Sequence, residues 1–405
     1  MPPMVSGASL RPIPRLASTR GPALFSHGFR PFFLGGAIYA AAVVLIWVPH
    51  YFGAYRVPAA LSAVDWHAHE MLYGYLAAVM TGFLLTAIPN WTGRLPLQGA
   101  PLVLLATVWL LGRIAINLSL WIGPIGTAVI DLSFLVLVFA VTVREIVTGR
   151  NWKNLSPLAV LAVFIAGNVL FHIEPYWPGS AEVGRKVAIA AAIALITLVG
   201  GRLIPSFTRN WLARESPGRL PRPFGIFDKA AITVSSCALA LWVLAPSFRF
   251  TATLMLTAGF FHTIRLFRWA GDRAWRDRLV LILHIGYGFV AVGFILLSAS
   301  ILVPETVPLS AGIHAWTIGA VGTMTLAVMT RATLGHTGGK LVADGKTHLI
   351  FAAILIAALA RICAVFEPGH MELLIYISGI AWTAAFLGFA ASYGPALIRP
   401  RLAKS

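Results

Sequence analysis

The chain has 405 residues, 58% of them hydrophobic and only 11% charged, with a net charge of +17 and a mean hydropathy of +0.82. A soluble protein carries about a quarter of its residues as charges, so this composition excludes a water-soluble globular domain. The basic excess would suit a nucleic-acid binder, but its distribution gives it another meaning, set out below.

The first thirty residues hold Arg11, Arg15, Arg20 and Arg30 among prolines and lack an apolar core. They read as a cytoplasmic tail (1–31), not a cleavable signal peptide. Apolar runs of about 20 residues follow, each long enough to cross a bilayer core of about 30 Å. In chain order they fall at 32–50, 67–89, 99–120, 124–146, 156–174 and 184–205, then at 226–246, 249–269, 278–303, 311–332, 347–366 and 371–396. The expected fold is therefore an all-α polytopic membrane protein, one twelve-span domain over 32–396 with a short tail at 397–405. Cys237 and Cys363 fall inside spans without metal-type spacing and read as buried small apolar residues.

With the N-terminus inside, alternate loops collect the basic residues: Arg144, Arg150 and Lys153, then Arg209, Arg214, Arg219, Arg222 and Lys229, then Arg265, Arg268, Arg273, Arg276 and Arg278. The opposite loops carry only Arg56, Arg185, Lys186 and Arg249. This positive-inside pattern places both termini in the cytoplasm. The charge is a topology signal, and no nucleic-acid partner is expected.

The span ends also hint at repetition. "MTGFLLTAIPNWTGR" from Met80 and "ITLVGGRLIPSFTRN" from Ile196 both place a threonine (Thr81, Thr197) eight residues before a proline (Pro89, Pro205). "MTLAVMTRATLGHTG" from Met324 keeps the Met-Thr start and loses the proline. The second, sixth and tenth spans would then be equivalent inner helices of a pseudo-threefold bundle, with repeats at 32–147, 156–269 and 278–396. Heme-copper oxidase main subunits are built that way. Their copper ligands lie on the sixth and seventh spans, however, where this chain has no histidine, so a copy of that oxygen-reducing site is excluded.

Ionisable groups within a span are functional candidates by default. "DWHAHE" brings Asp65, His67, His69 and Glu70 to the outer mouth of the second span, with Asp65 as the expected N-cap. His314 opens the tenth span from the same side, so His67, His69 and His314 share a depth. Residues two apart on a helix point about 200° apart, so one imidazole of the pair could ligate while the other serves a different partner. A second layer lies toward the cytoplasm, where His262 and His284 sit about 9 Å deep on adjacent spans and could be neighbours. Arg265 and Arg268, which follow His262, could hold propionates, and Arg202 and Arg331 could bind propionates or conduct protons. His50, His172, His348 and His370 read as solvated.

Five blocks carry a family resemblance: "HGFRPFFL" from His27, "DWHAHEMLYGY" from Asp65, "GRLIPSFTRNWL" from Gly201, "RLFRWAGDRAWRDRLVLILHIGYG" from Arg265 and "HAWTIGAVGTMTLAVMTRATLGHTG" from His314. Together they resemble the NnrS family. That resemblance implies a twelve-span inner-membrane protein carrying heme b and copper, tied to nitric oxide, denitrification and protection against nitrosative stress. Nitric oxide is the expected small ligand and the lipid bilayer the surrounding partner. The expectation for sites is metal at His67, His69, His314 and Glu70, with His262, His284, Arg265, Arg202 and Arg331 holding a cofactor. The alternative is a transporter of a metal complex or an anion, purifying without stoichiometric heme; a third reading is a structural partner in a respiratory complex.

Overall fold

Each predicted apolar run folds as a helix in the computed structural model, which describes residues 21–152, 155–176 and 181–400. Arg11, Arg15, Arg20 and Lys153 lie outside the described residues, as do most of the N-terminal tail and the last residues of the C-terminal one. Twelve helices are long and apolar enough to span: α1 (Phe29–Tyr51), α2 (Ala63–Thr92), α3 (Ala100–Asn117), α4 (Pro124–Thr148), α5 (Leu155–Ile173) and α6 (Glu182–Glu215), then α7 (Ile226–Leu244), α8 (Arg249–Phe267), α9 (Arg278–Leu302), α10 (Leu309–Thr337), α11 (Gly345–Cys363) and α12 (Pro368–Ile398). No strand occurs among the described residues. The arginine-rich connections gather where α1 begins and α12 ends, here the basic face; the other is the distal face.

Local chemistry sets the ends that matter for the site. Ser62, not Asp65, caps α2: its hydroxyl accepts from Asp65 N at 3.1 Å and donates to the Asp65 carboxylate at 2.7 Å. A serine with an acidic residue three positions on is a strong start signal, and it sets His67 and His69 inside the helix rather than at its mouth. Glycines in the left-handed conformation stop α2 at Gly93 and α10 at Gly338. The sixth helix runs past the predicted 205 because Ile204, Thr208 and Leu212 continue a buried stripe at four-residue spacing. Arg30, read as part of the tail, lies inside α1 and is buried. Its guanidinium donates to Leu397 O at 2.8 Å and Arg399 O at 2.7 Å, satisfying carbonyls at the end of α12.

The deepest helices are α2 and α10, with 78% and 67% of their apolar windows buried, against 33% for α4, α5, α7 and α11. The sixth helix reaches 50%, below α1 and α9 at 61%, so it is less enclosed than the other two. Even so, the three meet: Tyr73 of α2 donates to Gly184 O of α6 at 3.2 Å, and Tyr75 of α2 bonds Thr325 of α10. Each of the three, and no other described helix, contains a π-helical segment: Glu70–Leu76, Ile196–Gly200 and Ala315–Gly322. A π-turn shifts the phase of every side chain beyond it and is frequent at functional sites.

Lipid is as apolar as leucine, so close packing holds such helices together. At Gly184, a Cβ would sit 2.6 Å from Phe171 N, which shows how near α5 and α6 approach. The outward surface is an apolar belt, with Leu104, Ile125, Leu244 and Ile380 exposed. Cys237 and Cys363 are exposed too, contrary to their reading as buried, because both fall on outward faces of α7 and α11.

Candidate functional site

The helical phase set by Ser62 sends the two histidines of "HAH" to different neighbourhoods. His69 turns toward α3, α4 and α5 and is fully buried. Its Nδ1 lies 2.9 Å from Glu70 Oε1, and its Nε2 lies 3.2 Å from Asp131 Oδ2. The same Asp131 oxygen receives Asn168 Nδ2 at 2.8 Å and faces His172 Nε2 at 3.0 Å. Arg113 Nη1 donates to Glu70 Oε1 at 2.6 Å, its Nη2 pairs with Asp131 Oδ1, and Tyr39 Oη donates to Glu70 Oε2.

Two glycines make this cluster possible. A Cβ at Gly74 would meet Tyr39 Cε1 at 2.7 Å and Arg113 Nη1 at 3.1 Å, so the bare position admits both side chains to Glu70. A Cβ at Gly112 would lie 3.3 Å from Asp131 Cα, so α3 and α4 approach closely beside the Arg113–Asp131 pair.

Charge counting makes the cluster informative. With neutral imidazoles and both carboxyls ionised it holds one excess buried negative charge, which a proton on a carboxyl or an imidazole, or a bound metal ion, would offset. Among the described residues, His69, Asp131 and His172 form a group whose ligand atoms all lie within 4.8 Å of one another. Two imidazoles and a carboxylate suit a first-row transition metal, copper included.

His67 turns the other way. It stacks on Trp47, with ring centroids 4.2 Å apart, and its Nδ1 is buried without a hydrogen-bond partner. It lines a cavity of about 330 Å³, which His314 of α10 also lines. His314 Nδ1 lies 2.6 Å from Ser310 O. A carbonyl only accepts, so Nδ1 carries the hydrogen and the neutral ring keeps a lone pair on Nε2, the tautomer a metal ligand needs. Arg185 and Arg361 line the same cavity between mostly apolar walls. The π-helical segments of α2 and α10 begin immediately after His69 and His314. Thus two of the three histidines expected at one depth share a cavity, while His69 and Glu70 belong to the adjoining cluster.

His262 and His284, near the basic face, bond different partners. His262 Nδ1 bonds Tyr287 Oη at 2.8 Å. Arg265, buried, donates to that hydroxyl at 2.8 Å, to Thr197 O at 2.8 Å and to Asp228 Oδ1 at 2.9 Å. Since the phenol oxygen accepts from Arg265, its own hydrogen goes to His262 Nδ1, and the neutral ring then bears its proton on Nε2. His284 Nε2 lies 2.9 Å from Thr208 Oγ1, whose hydrogen goes to Ile204 O. His284 Nδ1 is therefore unprotonated, but it abuts Gly271. Neither ring lines either cavity described here. Arg202 and Arg331 line a separate cavity at the basic face.

Asp131, Arg113 and Arg361 escaped the sequence reading, although each is an ionisable residue within an apolar span, which is itself the signal. His172 was read as solvated. In the structure it is mostly buried and faces Asp131, because α5 turns that side of its last turn inward.

The family model described as NnrS protein matches residues 23–401, nearly the whole chain. No curated protein matches it.

Proposed function

The chain belongs to the NnrS family, and on that premise we propose that it is a nitric-oxide-responsive inner-membrane protein with its redox cofactors near the distal face. His67 and His314 would hold heme b in the cavity they line, and His69, Asp131 and His172 would hold copper. The basic face is cytoplasmic.

One observation carries this reading: imidazoles from the two most buried helices line a single cavity, and the Ser310 carbonyl fixes His314 in the ligating tautomer. Heme b bound there would supply a redox-active iron able to bind nitric oxide. The protein's own contribution is orientation and environment. Trp47 holds the His67 ring by stacking, and the Arg185 and Arg361 guanidiniums offer charge to propionates. The apolar walls admit a small neutral gas. In the adjoining cluster Glu70 orients His69, and Arg113 and Asn168 aim the Asp131 carboxyl. The competing assignment, heme between His262 and His284, is less favoured, since both rings are bonded to side chains of the bundle and share no cavity.

Absorbance and metal analysis of the purified full-length protein test the proposal. The wild type should show a Soret band that shifts on adding nitric oxide. His67→Ala and His314→Ala should each lose most of the heme. Unchanged heme in both variants would sink the assignment, and a wild type without any Soret band would favour the transporter reading.

A further inference from the structure

Every fully buried arginine beyond the two cavities has a partner: Arg30 bonds α12 carbonyls, Arg113 two carboxylates, and Arg265 Asp228. The two arginines of the cavity at the basic face, half-buried Arg331 and exposed Arg202, lack such partners among the described residues. This cavity, about 590 Å³, lies among the basic-face ends of α2, α6 and α10, on the opposite half of the bundle from His67 and His314. No acidic residue lines it. Arg331 from α10 lies over the Phe207 ring at 4.1 Å, and its Nη1 is buried with no hydrogen-bond partner. Arg202 from α6 also makes no hydrogen bond or ion pair among the described residues, and Asn90 and Asn210 stand exposed at the mouth.

We propose that this cavity binds an organic anion, a carboxylate or phosphate carried on an apolar body the size of an aryl chain. A guanidinium is a planar fork that matches a carboxylate or phosphate oxygen pair. Two of them, from different helices and with no carboxylate on the walls, make a site with positive charge to neutralise. Phe33, Phe83, Phe207 and Leu283 form apolar walls that a bare inorganic anion would leave uncovered. The stacking of Arg331 on Phe207 holds its fork in place without using its donors. The propionate role expected for Arg202 and Arg331 does not extend to a heme in the distal cavity, which lies at the other end of α2 and α10. The ligand reaches this site either as a soluble metabolite or as an anionic lipid, and the chemistry is the same.

Isothermal titration of the full-length protein in phosphatidylcholine nanodiscs tests the site. The probes are 4-phenylbutyrate, its uncharged analogue 4-phenylbutanol, and inorganic phosphate. Phenylbutyrate should saturate one site, and Arg331→Gln should weaken it about tenfold to a hundredfold, as loss of a charge-assisted hydrogen bond implies. Arg331→Lys should keep part of the affinity. Ala332→Trp, which fills the cavity and leaves both charges, should abolish binding in a protein that still elutes as a monodisperse species. Discs with one-fifth phosphatidylglycerol decide the source: lost phenylbutyrate binding identifies lipid, and retained binding a soluble anion. The proposal is overturned if phenylbutyrate does not bind, or if phenylbutanol or inorganic phosphate binds as tightly. It is equally overturned if Arg331→Gln and Ala332→Trp both leave binding unchanged.

Discussion

Two buried Arg–Asp pairs made of the same residue types lie at opposite ends of this bundle, and only one is balanced. Near the basic face, Arg265 Nε pairs with Asp228 at 2.9 Å and its Nη1 donates to Tyr287 and Thr197 O, while the partly exposed Arg268 lies 3.8 Å from the same carboxylate. Nothing there calls for a further cation. Near the distal face, Arg113 must serve both Asp131 and Glu70, and His69 and His172 close on the surplus charge. A balanced pair locks helices together. An unbalanced one keeps a place for a cation, and imidazoles are the side chains that can hold a metal there.

Substitutions that treat the two pairs alike should separate them, with the largest contrast at the aspartates. Asp131→Asn should lose nearly all bound copper, whereas Asp228→Asn should keep it. Asp228→Asn should lower stability by about 3–5 kcal/mol, the usual result of leaving one buried charge unpaired, and Asp131→Asn by less, because Arg113 keeps its pairing with Glu70. Paired metal analysis and thermal unfolding in detergent measure both effects. If Asp228→Asn also emptied the copper site, the division between a locking pair and a binding cluster would be broken. A smaller effect is expected at Gly74. A valine there drives Tyr39 and Arg113 away from Glu70, so copper should fall partially and stability by about 1–3 kcal/mol. Full copper with unchanged stability would show that the close fit around Glu70 does not matter.

The smallest effect belongs to a helix end remote from both pairs. Hydrogen bonds from the Thr347 hydroxyl and amide hold the Asp344 carboxyl below its ordinary range. A lowered carboxylate stabilises the folded protein above the ordinary range and loses that contribution as pH falls through the lowered value. Asp344→Ala should cost about 1 kcal/mol as a lost N-cap, remove that acid-side dependence, and leave heme and copper content untouched. Altered cofactor content would mean that the end of α11 communicates with the site.

Much of this was legible in the sequence, for identifiable reasons. Span number follows from apolar length, and α2 and α10 stood out because His67, His69 and His314 are costly in lipid. Rotation about a helix axis is harder to read. Depth put His67, His69 and His314 in one layer, but the cap at Ser62 and the π-turns from Glu70 and Ala315 decide which face each presents. The Arg113–Asp131 pair depends on α3 and α4 meeting at Gly112, a contact no linear pattern announces. His172 was misjudged for the same reason: a position near a helix end says nothing of which way the ring points. Arg30 and Arg265, counted among loop charges, lie inside helices, because apolar windows blur the last turn of a span.

The surplus charge of the distal cluster is best tested by X-ray absorption at the copper edge on purified full-length wild type, His69→Ala and His172→Ala. The expected result is one copper per chain in the wild type, bound by two imidazole nitrogens and a carboxylate oxygen, with copper lost in both variants. Copper-free wild type, or a His172→Ala protein with the wild-type spectrum, would contradict the account.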